Sequence, residues 1–89
     1  MHVRTFEWDD WNVDHIARHG LEPHEAEAGC RGNTLVLRGR KGHYIVYGRT
    51  EAGRYLFVVL RVRRAGVARI ITARDMTERE RQFYRHRRR

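Results

Sequence analysis

Residues 69–84 read Arg69-Ile70-Ile71-Thr72-Ala73-Arg74-Asp75-Met76-Thr77-Glu78-Arg79-Glu80-Arg81-Gln82-Phe83-Tyr84. The first part is apolar and β-branched, as in a strand, and this pattern stops at Arg74. Thr77 and Glu80 then form the Ser/Thr-x-x-Glu pattern of a capping box, which predicts the beginning of a helix. Basic side chains flank this junction on both sides. The stretch therefore predicts a positively charged strand-to-helix corner, where a polyanion could be held.

The residues before this corner predict an antiparallel meander of three strands, or four when a short strand at 34–38 is included. The segments are rich in β-branched and aromatic residues, and short turns that contain glycine separate them. The three main strands are predicted at residues 43–50, 54–64 and 67–74, with turns at 51–53 and 65–66.

The N-terminal third predicts one short strand and two helices, which gives an α+β class when the meander and the last helix are added. Asp9 or Asp10 is a suitable N-cap for the first helix, and Gly20 is a suitable residue to close it. Pro23 fits the first turn of the second helix. The strand is predicted at residues 3–8, the helices at 11–19 and 24–28, and a turn at 29–33.

The loop lengths predict the strand registers. The three-residue loop sets Arg49 opposite Tyr55, Tyr47 opposite Phe57 and His43 opposite Arg61, and the two-residue turn sets Arg61 opposite Ile70 and Phe57 opposite Arg74. Since side chains alternate along a strand, each register assigns every residue to one face of the sheet.

One predicted face is a core face and the other is open, basic and aromatic. The core face holds Tyr44, Val46, Leu56, Val58, Leu60, Val62, Ile71 and Ala73. The open face holds His43, Tyr47, Arg49, Tyr55, Phe57, Arg61 and Arg74, with Ile45, Val59 and Ile70 among them.

The net charge of +8 is unevenly distributed along the chain. Residues 1–29 carry two arginines against seven acids, whereas residues 30–89 carry seventeen Lys/Arg against four acids. Solubility alone would not require this segregation. A basic working surface favours a phosphate backbone or an acidic protein as the partner.

The length of 89 residues predicts one small domain, with a basic tail at 85–89. The longest apolar run covers residues 55–60, which is far short of the roughly 20 residues of a membrane helix. No apolar signal region opens the chain, and Cys30 is the single cysteine, so we expect a cytoplasmic protein without an intrachain disulfide.

Three arginines of the open face, Arg49, Arg61 and Arg74, are the candidate phosphate ligands. The guanidinium fork matches two phosphate oxygens, and cations of this kind stabilise the phosphorane formed when RNA is cleaved without a metal. Each of them, taken singly, could equally be an ordinary solvated arginine. Their predicted clustering favours phosphate contact.

Proton transfer has several candidates. His43 could act as base or acid because imidazole titrates near neutrality, although an edge histidine is more often simply exposed. Tyr84 could stack on a base or support proton transfer, or it could dock the last helix beside Phe83. Glu80 is already explained by the capping box.

The sequence predicts no metal site and no cofactor. His15 and His19 have the spacing of a metal pair, yet the stretch lacks the glutamate of H-E-x-x-H and a third ligand is not evident. Gly-rich phosphate loops and the G-x-S-x-G pattern are missing, so nucleotide hydrolysis and serine chemistry have no support.

Three segments taken in order resemble the BrnT family, the toxins of bacterial type II toxin–antitoxin pairs. Residues 6–20 are similar to the family's opening F-x-W-D…N…K-H-G, and residues 48–54 are similar to its I-G-R-[ST]-x-x-G-R. Residues 69–84 are similar to R-I-I-S-A-R…E-R-x-x-Y, although Asp75-Met76 replaces a basic-small pair. Together the three segments span nearly the whole chain.

The resemblance implies a RelE-like α+β fold and a metal-independent ribonuclease that halts translation. It also implies a small BrnA-like antitoxin that wraps the toxin and carries a DNA-binding domain, so that DNA is a partner only through the antitoxin. The family's functional positions map onto Arg49, Arg61 and Arg74, with Glu80 and Tyr84 on the last helix.

Two alternatives use the same basic face without cleavage. One is an RNA- or DNA-binding module that combines arginines with aromatic stacking. The other is an interaction subunit whose basic face only meets an acidic antitoxin. Arginine clusters serve all three functions, so the sequence does not separate them.

Overall fold

A computed structural model describes residues 2–87, which form an α+β fold as predicted. Arg88 and Arg89, the end of the predicted basic tail, lie outside the described residues. None of the helices within residues 2–87 is long and apolar enough to cross a membrane. In chain order the elements are β1 (Val3–Glu7), α1 (Asp10–Ala17), α2 (Pro23–Gly29), β2 (Thr34–Arg38), β3 (His43–Arg49), β4 (Tyr55–Arg64), β5 (Gly66–Asp75) and α3 (Glu78–Arg87).

The two N-terminal helices form near their predicted positions. Asp9 is the N-cap of α1, and its carboxylate accepts a hydrogen bond from the Asn12 backbone while the Asn12 side chain accepts one from the Asp9 backbone. This helix ends at Ala17, two residues earlier than predicted, and Gly20 follows it with a φ of +74°. Pro23 opens α2, as expected from its missing N–H.

The strands of residues 2–87 form one five-stranded mixed sheet in the order β1-β5-β4-β3-β2. The predicted antiparallel meander β2 to β5 is confirmed, and β1, whose place in the sheet was not predicted, adds a parallel strand beside β5, so the whole sheet is mixed. Most of the chain separates β1 from β5, and local sequence therefore carried no sign of this pairing. The RelE-like description of the fold stays a prediction.

The register of β3 and β4 is the predicted one, with His43 opposite Arg61 and Arg49 opposite Tyr55. Phe57 also lies opposite Arg74, as predicted for β4 and β5. The predicted pairing of Arg61 with Ile70 was wrong, because a β-bulge shifts the register. A bulge inserts one extra residue into one strand and thereby turns the following side chains over.

Val59 of β4 lies opposite Thr72 of β5, and the next residue, Leu60, lies opposite Ile70. Ile71 is therefore the extra residue of the bulge. Ile70 therefore points into the core and is fully buried, whereas Ile71 is only partly buried, the reverse of the prediction. Arg61 faces Arg69 instead of Ile70, so these two arginines share one face of the sheet. Val62, predicted in the core, is 37% exposed near the tip of the β4–β5 hairpin.

Helices cover both faces of the sheet. α1 and α2 cover the predicted core face, where the fully or nearly fully buried side chains are Ile16, Leu21, Ala26, Val46, Leu56, Val58, Leu60, Ala68, Ile70 and Ala73. α3 packs on the other face, where a second cluster forms around Tyr47, Met76 and Tyr84 with Leu35, Leu37, Ile45, Tyr55, Phe57 and Phe83. The face predicted to be open is thus covered by α3 over β2, β3 and β4, and it remains uncovered toward β5.

Candidate functional site

The strand-to-helix corner forms as the sequence predicts. The Glu80 carboxylate accepts from the Thr77 backbone at 2.9 Å, and the Thr77 hydroxyl accepts from the Glu80 backbone at 3.1 Å. The Arg74 guanidinium lies 4.1 Å from the centre of the Phe57 ring and donates to both Glu80 oxygens. That pair raises the pKa of Arg74 and lowers the pKa of Glu80, chiefly through these hydrogen bonds.

Four of the six predicted site residues lie on one face of the sheet, and the other two lie on α3, which packs on that face. Along the strands, however, the six fall at three separate positions. Arg49 and Tyr84 lie at one end of the strands, and Arg74 with Glu80 lies between the ends. His43 and Arg61 face each other at the opposite end, six residues along β4 from Tyr55. At about 3.3 Å per residue the two ends are roughly 20 Å apart, so the six side chains do not form one site.

A cleft of about 1030 Å³ opens at the Arg49 end, where α2, the β3–β4 turn and the end of α3 meet. Its lining includes Arg31, Arg49, Tyr55, Tyr84 and Arg85. The lining combines cationic and aromatic side chains with the carboxylates of Glu25 and Glu51, and ligand sites are commonly concave surfaces of this size with a few polar groups.

Tyr55 lines the cleft and is surrounded by three arginines, of which Arg49 and Arg85 also line the cleft and Arg81 lies behind the lining. Among residues 2–87, the guanidinium carbons of Arg81, Arg49 and Arg85 lie 4.4, 4.9 and 5.4 Å from the centre of its ring. No carboxylate of the described chain forms an ion pair with any of the three. A hydrogen bond from Arg85 and the three positive charges lower the pKa of Tyr55, against an opposing effect of burial.

Sequence reasoning missed Tyr55, Arg81 and Arg85 as members of the site. Two signals were present: Tyr55 was placed opposite Arg49, and Arg81 and Arg85 are spaced by four residues, which puts them on one side of a helix. What was missing was the docking of α3 onto this part of the sheet. That docking is a contact between distant segments, which helix periodicity does not predict.

Tyr84 is buried in the structure and its hydroxyl is already engaged. The hydroxyl donates to the Asn33 carbonyl oxygen at 2.6 Å, and the ring meets the Tyr55 ring edge-on at 6.0 Å. Only 6% of the residue is exposed. This geometry fits the docking of α3 against the loop before β2, one of the two roles considered for Tyr84.

Arg54 forms one wall of the cleft but is held by carboxylates. It donates to both oxygens of Asp75 at 2.7 and 3.2 Å and to Glu25 at 3.2 Å. These contacts lower the pKa of Asp75 and raise the pKa of Arg54. Asp75, which departs from the family pattern, therefore neutralises Arg54 and joins the end of β5 to the β3–β4 turn.

Three side chains of types that often carry chemistry, those of Cys30, His15 and His19, lie outside the lining of the Tyr55 cleft. Burial raises the pKa of the Cys30 thiol to about 12, so the thiolate nucleophile is disfavoured. His15 lies 3.1 Å from the Thr72 hydroxyl, and its ring is 5.7 Å from that of His19. Within residues 2–87, no group of three or more His, Cys, Asp or Glu side chains is positioned to hold a metal ion.

Comparison with known families identifies one match. A family model described as "Ribonuclease toxin, BrnT, of type II toxin-antitoxin system" matches residues 8–80, which is most of the chain. Comparisons with curated proteins and with solved structures gave no match. The matched region includes Arg49, Tyr55, Arg74 and Glu80, and it ends just before Arg81.

Proposed function

Because the chain belongs to the BrnT family of ribonuclease toxins from type II toxin–antitoxin systems, we propose that it cleaves RNA without a metal ion at the Tyr55 cleft. The observation that carries this proposal is the gathering of Arg49, Arg81 and Arg85 around Tyr55 without carboxylate partners in residues 2–87. Unpaired guanidinium groups in a concave surface attract an anion, and a phosphate fits their hydrogen-bonding geometry.

The proposed reaction begins with attack of a ribose 2′-oxygen on the adjacent phosphorus. A base removes the 2′-hydroxyl proton as the new O–P bond forms, and the bond to the 5′-oxygen then breaks. That oxygen leaves with a proton from an acid, giving a 2′,3′-cyclic phosphate and a 5′-hydroxyl. In this scheme Arg49 and Arg85 stabilise the negative charge of the phosphorane, the task that a metal ion performs in other nucleases.

Tyr55 is the proposed proton-transfer residue of the cleft. Its lowered pKa brings the phenol closer to the range in which it exchanges protons near neutral pH. Tyr84 is less suited to this role because its hydroxyl is held by Asn33. His43 lies at the other end of β3 and is not near this cleft.

Arg74, Glu80 and Tyr84 are proposed to act by positioning. The Arg74–Glu80 pair and the Tyr84–Asn33 bond fasten α3 to the sheet and to the loop before β2. Since Arg81 and Arg85 lie on the same helix, these contacts set the positions of two of the guanidinium groups around Tyr55. Preorganised charge of this kind costs no rearrangement when the phosphorane forms.

The test is an RNA cleavage assay with purified protein in the presence and absence of EDTA. We expect cleavage in both, a large loss of rate in Arg49→Ala, and a loss of rate in Tyr55→Phe with thermal stability unchanged. Arg64→Ala is the matched control, because it removes the same charge at the far end of β4, where Arg64 lies 3.8 Å from Glu7.

Intact RNA after incubation with folded protein would replace the enzyme proposal with the binding module. Cleavage abolished by EDTA and restored by zinc would instead assign a role to a metal ion. Equal losses in Arg49→Ala and Arg64→Ala would show that only the overall charge matters, and the cleft would then not be the site.

A further inference from the structure

A row of side chains crosses the sheet at the end opposite the Tyr55 cleft. His43 of β3 faces Arg61 of β4, and Arg61 faces Arg69 of β5. The Arg69 guanidinium carbon lies 6.0 Å from the centre of the Trp11 ring on α1. Neighbouring strands are about 4.8 Å apart, so His43, Arg61 and Arg69 form one short line, which continues across the sheet to Glu7 of β1. We name His43, Arg61, Arg69 and the adjacent Trp11 the Trp11 row.

Trp11 is exposed and its ring is stacked on a neighbouring side chain. The residue is 58% exposed, and its ring is stacked on the His15 ring at 5.1 Å with an angle of 4° between the planes. His15 is fixed in turn by its contact with the Thr72 hydroxyl. A large apolar ring is thus in contact with solvent and stacked on a single neighbour. The packing of α1 does not use this ring, because Asn12 and Ile16 form the buried side of the helix.

The two arginines of the row differ in their partners. Arg69 donates to both oxygens of Asp9 at 2.9 and 3.2 Å, so it is fixed against the beginning of α1. Arg61 is exposed and forms no hydrogen bond or ion pair with a side chain of residues 2–87. Its charge is therefore available to a ligand.

An exposed, stacked ring in the same row as an unpaired cation suits single-stranded RNA better than a protein. Unstacked bases stack on aromatic side chains whatever their sequence, while arginines contact the backbone. A protein interface with an apolar core would instead need further exposed apolar side chains around the ring. Two other large apolar side chains of residues 2–87 are exposed, Val36 on β2 and Val62 on β4. Both lie on the face of the sheet opposite to Arg61.

We propose that the Trp11 row is a second RNA-binding subsite, in which Trp11 stacks on one unpaired base and Arg61 contacts a phosphate. Arg69 is a positioning residue for Trp11, and His43 extends the polar surface of the row. The proposal rests on the proposed function, since it takes RNA as the substrate. It gives Arg61 and His43 a role in holding RNA roughly 20 Å from the cleft, away from the bond that is cut.

The experiment measures binding of a short single-stranded 2′-O-methyl oligoribonucleotide, which lacks the attacking hydroxyl and is not cleaved. Affinities of all variants are measured from the fluorescence anisotropy of a dye on the oligonucleotide, and tryptophan quenching is followed separately in Trp8→Phe, where Trp11 is the one tryptophan left. We expect quenching on binding, and an affinity loss of about fivefold or more in Trp11→Ala, equivalent to one stacking contact. Trp11→Tyr should retain most of the affinity, and Arg61→Ala should also weaken binding and flatten its salt dependence.

Arg64→Ala is the matched control for the loss of one charge in the same hairpin. Rates of cleavage of ordinary RNA at saturating protein should be unchanged in Trp11→Ala, because the cleft is intact.

If Trp11→Ala binds the oligonucleotide like the unmodified protein while Arg49→Ala does not, the subsite is refuted and the cleft proposal stands. If the unmodified protein binds no RNA, the proposed function fails as well. Weakened binding of the antitoxin with unchanged binding of RNA would reassign the row to a protein contact.

Discussion

Arg74 and Glu80 form a two-pronged ion pair, with N–O distances of 2.8 and 2.9 Å, that joins the end of β5 to the first turn of α3. The pair lies between the two basic ends of the sheet and neutralises an arginine that sequence reasoning assigned to phosphate. Its position means that a change in either residue reaches the Tyr55 cleft through α3. The same pair also makes the docking of α3 sensitive to acid.

The first prediction concerns this ion pair. Glu80→Gln should loosen α3 while the capping box survives, because glutamine also serves at this position. Hydrogen exchange of the α3 amides should therefore increase, and RNA cleavage should fall with it. Glu78→Gln is the control, since it removes the same charge from the first turn of α3 without touching Arg74.

The pH dependence of stability follows from the lowered pKa of Glu80. Stabilisation by a carboxylate with a lowered pKa is present above its unfolded value, about 4.3 for glutamate, and is lost as the pH falls through the folded value. We expect the free energy of unfolding to fall less steeply in acid for Glu80→Gln than for the unmodified protein. Identical acid profiles for the two proteins would contradict this.

The second prediction concerns the hydroxyl of Tyr84, whose ring meets the Tyr55 ring at the cleft. Tyr84→Phe removes the donor to the Asn33 carbonyl oxygen and should lower the free energy of unfolding by about 1 kcal/mol. Urea denaturation measures this change. Tyr44→Phe is the control, since its hydroxyl meets Arg38 at 3.4 Å on the surface and should contribute little. A stable Tyr84→Phe protein without ribonuclease activity would instead make the Tyr84 hydroxyl a catalytic group.

The third prediction concerns Asn12, which is fully buried. Its amide nitrogen donates to the carbonyl oxygens of Glu7 at 2.9 Å and of Ile70 at 3.0 Å, where β5 continues beyond β1. Asn12→Ala leaves both oxygens without this donor and should cost about 2 kcal/mol or more. Asn12→Asp should be worse, because a carboxylate would face two carbonyl oxygens. Asp14→Ala on the exposed side of α1 is the control, and denaturation midpoints give the comparison.

The fourth prediction tests the contact between α2 and β3. A Cβ added at Gly48 would collide with the Gly29 carbonyl oxygen, a backbone atom that cannot rotate away. Gly48→Ala should therefore destabilise the fold by about 1–3 kcal/mol or prevent folding. Gly42→Ala meets open space and has only a positive φ to accommodate, so it should cost about 1 kcal/mol. Equal thermal midpoints for the two variants would contradict the close approach.

The last prediction concerns the antitoxin that pairs with a type II toxin. Residues 30–89 carry seventeen Lys/Arg against four acids, and a basic surface of this kind is best covered by an acidic segment. We expect a small antitoxin, BrnA-like and encoded beside this gene, to lie across the basic face and α3, so that inhibition competes with RNA. Co-expression and growth rescue test this expectation. A neighbouring protein that binds only residues 6–20, or that binds without competing with RNA, would contradict it.

The sequence by itself determined the parts of the fold that depend on neighbours in the chain. The Thr77–Glu80 capping box, the short loop after Arg49 and the turn at Gly66 fix their own geometry, so the helix start and the β3–β4 register followed from them. The resemblance in three segments likewise identified the family that the matched region confirms. The cap and the turns depend on a few consecutive residues, and the family resemblance depends on the order of short motifs along the chain.

Only the tertiary structure decided which side chains meet. Ile70 and Ile71 are both apolar, so the sequence did not indicate the bulge in β5 that brings Arg69 opposite Arg61. The docking of α3, which brings Arg81 and Arg85 to Tyr55, depends on contacts between segments far apart in the chain. The predicted β3–β4 register already separated Arg49 from Arg61 along β4, but only the structure shows that Arg74, between them, is paired with Glu80 and not free to join the two arginines in one site.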